Sequence, residues 1–170
     1  LYLGDTARVP YGTRSARTVQ RYALQLTAVL VERGVKALVV ACNTATAHAL
    51  DEIERYCSPH GIPVLGVIEP GAQAALAASP TGRVGVICTE GTLRGGAYQK
   101  LLEGEVRALE LRACPRFVAR AEEGWTTGEV PYLIGQRYLQ DLCGKIDSRL
   151  LGCTHYPLLR DVIQRCLPEV

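Results

Sequence analysis

Short aliphatic runs alternate along the chain with segments whose apolar residues recur every three or four positions. Residues 37–41, 63–67, 83–87 and 148–151 are runs of the first kind. Near-continuous apolar stretches of this length suit strands buried on both faces of a parallel sheet. Leu1-Tyr2-Leu3 reads as the end of one more strand. Between the runs lie helical patterns. Ser15 is placed to cap a helix whose Val19, Tyr22, Ala23, Leu26, Val29 and Leu30 share a face, ending at Gly34. Further helices are expected over 45–57, over 70–78 with Pro70 in the first turn, over 91–102, over 127–142, and from Pro157 to about 166. Strands alternating with helices predict an α/β fold with parallel sheets flanked by helices. Ile68-Glu69-Pro70-Gly71 is the expected hinge between two lobes.

Composition narrows the function. Of 170 residues, 19 are Lys or Arg and 17 Asp or Glu, a formal charge of +2, so the clustered basic excess of a dedicated nucleic-acid binder is missing. Apolar runs are too short or too interrupted by charge to span a membrane, and no secretory signal is visible. There is no Met, even at position 1. The expectation is therefore a stretch of a longer polypeptide. Seven cysteines amid helices and aliphatic strands suggest a reduced, cytoplasmic protein rather than a disulfide scaffold.

In open parallel sheets, ligands bind beyond the carboxyl ends of the strands. Two strand ends carry the same device. Leu38-Val-Val-Ala-Cys-Asn-Thr44 and Leu150-Leu-Gly-Cys-Thr-His155 each place a thiol after a strand, with polar neighbours, before a helix. A helix N-terminus favours the thiolate, and a thiol with an ordinary pKa of about 8.5 then becomes usable as a base. Two such groups on opposite faces of one carbon can remove a proton from one side and return it to the other. That is racemisation or epimerisation without a cofactor. Asn43, Thr44, Thr89, Thr92 and Thr154 would offer neutral hydrogen bonds to an amine and carboxylates. His155, two positions from the second thiol, is placed to orient or acidify it.

Other readings compete. A buried cysteine is ordinarily a small hydrophobe, and Cys57, Cys88, Cys114, Cys143 and Cys166 read that way. A zinc site drawn from Cys42, His48, Cys57 and His60 lacks compact ligand spacing, so no metal is assigned. No Cys-x-x-Cys supports a disulfide oxidoreductase. The glycines of residues 82–91 lack the spacing of a nucleotide-binding turn, and Thr89-Glu90-Gly91-Thr92 is read as a helix start able to hold a carboxylate.

Four motifs carry a resemblance. Gly4-Asp-Thr-Ala-Arg-Val-Pro-Tyr-Gly12, Ala41-Cys-Asn-Thr-Ala-Thr-Ala47, Val84-Gly-Val-Ile-Cys-Thr-Glu-Gly-Thr92 and Leu151-Gly-Cys-Thr-His-Tyr-Pro-Leu-Leu159 closely resemble those of the glutamate racemases, within the cofactor-independent aspartate/glutamate racemase superfamily. The resemblance implies interconversion of L- and D-glutamate for peptidoglycan, with no cofactor. It implies that Cys42 acts on the D-enantiomer and Cys153 on the L-enantiomer, with His155 assisting Cys153, Glu122 as its carboxylate partner and Asp5 behind Cys42. Pro10, Tyr11, Gly12, Asn43, Thr44, Thr89 and Thr154 match substrate-contacting positions. The implied architecture is two pseudo-symmetric lobes, residues 1–68 and 69–170, with the active site in the cleft between them, and a homodimer as the assembly. The first lobe would be incomplete, because the family carries an Asp-Ser-Gly strand before the first motif and further elements after the last, so the stretch by itself is expected to have little activity. The alternatives are a racemase of another small acid such as aspartate, a non-catalytic regulatory binding domain, and a thiol redox module.

Overall fold

A computed structural model describes residues 1–170. In chain order the elements are α1 (Ala16–Glu32), β1 (Leu38–Val40), α2 (Asn43–Cys57), β2 (Val64–Gly66), α3 (Ile68–Ala78), β3 (Arg83–Cys88), α4 (Glu90–Gly95), α5 (Ala97–Leu102), β4 (Ala108–Ala113), α6 (Pro115–Glu122), α7 (Glu129–Leu139), β5 (Ser148–Gly152) and α8 (Arg160–Cys166). They form two parallel sheets. β1 pairs with β2, and β3 lies between β4 and β5. The register sets Val39 beside Leu65 in the first sheet, and Cys88 beside both Ala113 and Gly152 in the second. The α/β expectation therefore holds.

Local chemistry explains several boundaries. The Ser15 hydroxyl accepts from the Thr18 N–H and starts α1. The single helix expected over 91–102 is two. Gly96 has φ +66°, a left-handed conformation that ends α4 and opens α5. The expected hinge residues 68–71 form the first turn of α3, and Ile68 is buried there. Tyr156–Leu159 is a 3₁₀ turn, so the last α-helix begins at Arg160 rather than Pro157. The helix expected over 127–142 is shorter, and its last three residues are also 3₁₀.

Three expectations about strands change. β4, missed in the sequence, alternates as Ala-Leu-Glu-Leu-Arg-Ala at the sheet edge and is half-buried throughout. Its pattern has a period of two and no apolar run. Leu1-Tyr2-Leu3 is not a strand, because no neighbouring strand pairs with it, and Leu1 and Tyr2 lie exposed. β1 and β2 are buried on one face only. Leu38 and Val40 pack with Val19, Ala23, Ala49 and Ile53 under α1 and α2, whereas Val39 and Leu65 are 61% and 56% exposed.

The second sheet has a core on each face. Ile68, Ala72, Val84, Val86, Tyr98 and Leu102 fill one side. Phe117, Leu139, Leu142, Tyr156, Leu159 and Ile163 fill the other. Phe117 meets Tyr138 and Tyr156 edge-on, each pair of rings 5.6 Å apart. Each such contact contributes about 0.5–1.5 kcal/mol beyond the burial itself. This second core holds Cys153 in place.

Candidate active site

The two cysteines singled out by the repeated device occupy matching turns. Cys42 follows β1 and is the residue before α2. The backbone N–H groups of Ala45 and Thr44 and the Thr44 hydroxyl lie near its sulfur and favour its thiolate. Cys153 follows β5; the backbone N–H groups of His155 and Tyr156 lie near its sulfur and favour its thiolate, while the Tyr156 N–H donates to the Cys153 carbonyl at 3.1 Å. In both turns the backbone donors come two and three residues after the cysteine. Such donors favour thiolate. Burial outweighs them. It raises the Cys42 thiol above its ordinary value and pushes Cys153 up to about 11. Charge on Cys42 raises Cys153 further, so the two sulfurs lie within electrostatic reach of each other. The sequence expectation of thiolates stabilised near neutral pH is thus corrected for the protein by itself. Desolvation exceeds what two N–H bonds restore, and behind Cys153 stands a 3₁₀ turn rather than a long helix dipole.

His155 and Glu122 extend the second thiol. The Nδ1 of His155 lies 3.6 Å from the Cys153 sulfur, and its Nε2 lies 2.5 Å from Oε1 of Glu122. Glu122 ends α6, an element absent from the sequence reading. Asp5 is bound otherwise. It pairs with Arg8 at 2.8 Å and accepts the Tyr11 hydroxyl. Burial opposes its ionisation, but the hydrogen bonds from Arg8 and Tyr11 hold it below the ordinary Asp value. Tyr11 is buried in the cluster against which Cys42 packs, and charge on Cys42 raises the phenol's pKa, after burial and Asp5. Asp5 therefore meets the first thiol at one remove, through Tyr11.

The remaining expected residues fall into two groups. Asn43, Thr44 and Thr89 are buried where the first sheet's helix meets the second sheet's. Thr44, Thr89 and Thr92 form a hydroxyl triangle with sides of 2.9, 3.2 and 3.0 Å. The Thr89 oxygen also accepts the Thr92 N–H as the cap of α4. Nearby, the Gly91 N–H donates to the Gly12 carbonyl at 2.7 Å. Neither glycine tolerates a side chain: a Cβ on Gly12 would sit 2.7 Å from the Thr89 Cβ, and one on Gly91 would sit 2.9 Å from the Gly12 oxygen. A cleft of about 370 Å³ opens beside this junction, lined by Pro10, Gly12, Thr89, Pro115, Val118 and Glu122 among others. Cys42, Cys153, Tyr11, Asn43, Thr44 and Thr154 are not among its lining residues. Thr154 is exposed.

Sequence reasoning missed two tyrosines. Tyr156 is fully buried, and its hydroxyl donates to the carbonyls of Cys88 at 2.8 Å and Cys114 at 3.0 Å, tying the ends of β3 and β4 beneath the Cys153 turn. Tyr98, on α5, donates to Oδ1 of Asn43 at 2.6 Å. An aromatic residue whose polar tip must find a partner when buried was the available signal.

Fold and side chains together define a class: parallel α/β proteins with a pair of thiols at equivalent strand ends, one of them backed by a histidine–carboxylate pair. Within that class, the chain belongs to the Asp/Glu/Hydantoin racemase family, whose model matches residues 1–170. It is 53% identical over 172 residues to the glutamate racemase of Geobacter metallireducens, covering 99% of this chain and 63% of that protein. It is 50% identical over 170 residues to the glutamate racemase of Aquifex aeolicus, covering 100% and 66%. Among solved structures, the glutamate racemase of Francisella tularensis in complex with D-glutamate superimposes with a TM-score of 0.89 at 35% identity, covering 97% of this chain and 62% of that one. The chain thus spans a little under two thirds of the length of the relatives it matches.

Proposed function

We propose that this chain carries the two acid–base groups of a cofactor-independent racemase that interconverts L- and D-glutamate, a source of D-glutamate for peptidoglycan. The observation that carries the reading is the pair Cys42 and Cys153, held on matching turns by equivalent backbone donors and close enough to sense each other's charge. The names of the relatives support glutamate as the substrate.

In this reading residues 1–68 and 69–170 act as two lobes, with the substrate α-carbon between the thiols. One sulfur, as thiolate, takes the α-proton, and the electron pair is delocalised into the α-carboxylate. The other sulfur, as thiol, delivers its proton to the opposite face. The enzyme ends with its charge on the other cysteine. Cys42 takes the proton of the D-enantiomer and Cys153 that of the L-enantiomer. His155, steadied by Glu122, orients Cys153 and exchanges a proton with it. Asp5 holds Tyr11 beside the first thiol. Pro10, Gly12, Asn43, Thr44, Thr89 and Thr154 surround the substrate. The substrate ammonium group, brought between the sulfurs, supplies the positive charge that offsets their desolvation.

Replacing either Cys42 or Cys153 by Ser in the native protein tests this. Each variant should lose racemisation by at least about 10³-fold, because a serine hydroxyl is a far weaker acid than a thiol. In the wild type, solvent deuterium should enter the α-carbon at each inversion. Racemisation with full retention of the α-hydrogen would refute the mechanism.

A further inference from the structure

We propose that Tyr98 is a positioning residue that sets the orientation of the Asn43 carboxamide, so that the amide N–H donors rather than its oxygen are offered to a carboxylate of the substrate. The proposal rests on the glutamate reading above and deepens it.

The argument is one of hydrogen-bond accounting. Tyr98 is 4% exposed, and its hydroxyl sits 2.6 Å from Oδ1 of Asn43. That contact is the only hydrogen bond the Tyr98 hydroxyl makes. A carboxamide can meet a phenol with either end. If the amide nitrogen faced Tyr98, the phenol oxygen would accept and its own O–H would be buried with no acceptor, a costly state. Burial also pushes the Tyr98 phenol's pKa far upward, so the O–H keeps its proton and remains a donor. Oxygen toward Tyr98 satisfies both groups. The nitrogen of Asn43 then makes no bond within the protein, and it is not sealed from solvent, since the only buried unpaired side-chain atom is Nε2 of His48. Asn43 directly follows Cys42, so its carboxamide belongs to the same strand-to-helix turn as the first thiol. Paired N–H donors suit an anionic oxygen and not an ammonium group. The orientation is imposed from the other sheet, because α5 belongs to the second sheet's core and Asn43 to the helix after β1. Tyr98 therefore makes the first turn's specificity depend on correct docking of the two halves.

The test combines Tyr98→Phe in the native protein with a measurement on the wild type. Calorimetric Kd for glutamate and the KM for racemisation should both rise about tenfold in Tyr98→Phe, with kcat changed less than threefold. An unmoved Kd and KM, or a fall in kcat alone, would overturn the proposal. Side-chain amide NMR of the ¹⁵N-labelled wild type, without ligand, reads the orientation directly and needs no variant to fold. The Asn43 amide protons should exchange freely with solvent. Protection of those protons would place nitrogen against Tyr98 and also overturn it. If the wild type shows free amide protons but no glutamate turnover, the orientation stands and the glutamate reading fails.

Discussion

The Nε2 of His155 lies 2.5 Å from Oε1 of Glu122, although the two residues come from separate elements on either side of α7 and β5. The contact leaves the other ring nitrogen, Nδ1, facing Cys153. The pair works by orientation more than by Coulomb energy, because the Glu122 side chain is 53% exposed and exposed pairs contribute at most about 1 kcal/mol. Glu122→Gln keeps an oxygen to accept the His155 hydrogen bond, so kcat/KM for racemisation should fall no more than about fivefold. On the proposed mechanism, His155→Asn removes the proton-exchanging partner of Cys153 and should cost on the order of 10²-fold. Steady-state kinetics in both directions checks the ordering. Because the equilibrium is unchanged by the enzyme, kcat/KM must fall by the same factor in each.

The junction between the sheets is intolerant of a methyl group. Gly91→Ala would drive a Cβ to 2.9 Å from the Gly12 carbonyl and from Cγ2 of Thr44. Overpacking of this kind costs about 1–3 kcal/mol. It would also stretch the Gly91 N–H bond to Gly12. Thermal melting of Gly91→Ala should show the loss, accompanied by a weaker KM as Thr44 and Thr89 separate.

Tyr156→Phe tests the anchor under Cys153. The phenol bridges two strand-end carbonyls in a fully buried place. Removing the hydroxyl leaves the Cys114 carbonyl without that donor, while Cys88 keeps the Cys114 N–H. A cost of about 1–3 kcal/mol is expected, readable by urea denaturation with an unchanged m-value.

Alkaline pH should destabilise the fold. Burial raises the thiols of Cys153 to about 11 and Cys88 to about 12, well above the ordinary range for a thiol. A group whose folded pKa is raised binds more protons in the native state than in the unfolded chain over that interval. Its stabilisation is complete below pH 9 and is lost as pH climbs towards 11 and 12. At about 1.4 kcal/mol per pH unit and group, the loss reaches several kcal/mol. The melting temperature should fall steeply above pH 9, and Cys88→Ala should flatten the slope.

Much of the site was legible in the chain because local geometry makes it. The two thiols recur in the same strand–Cys–polar–helix context, and a turn of a few residues is enough to bring the next N–H groups near the sulfur. Ser15 and Thr89 act as helix caps for the same local reason. Apolar runs located β1, β2, β3 and β5, whereas β4 escaped because an edge strand alternates and carries Glu110 and Arg112. The break at Gly96 escaped because a glycine inside a helical pattern says nothing about the sign of its φ.

The sequence by itself determined the α/β alternation, the family motifs and the placement of two thiols on matching strand-end turns, since each depends on residues near one another in the chain. Only the tertiary structure decided which groups meet. It joined Glu122 to His155, Asp5 to Tyr11, Tyr98 to Asn43, and Gly91 to Gly12. It also decided the protonation of the thiols. Proximity to backbone donors is a local property, but desolvation is the summed effect of every packed element around the sulfur, and at Cys42 and Cys153 that sum is the larger of the two.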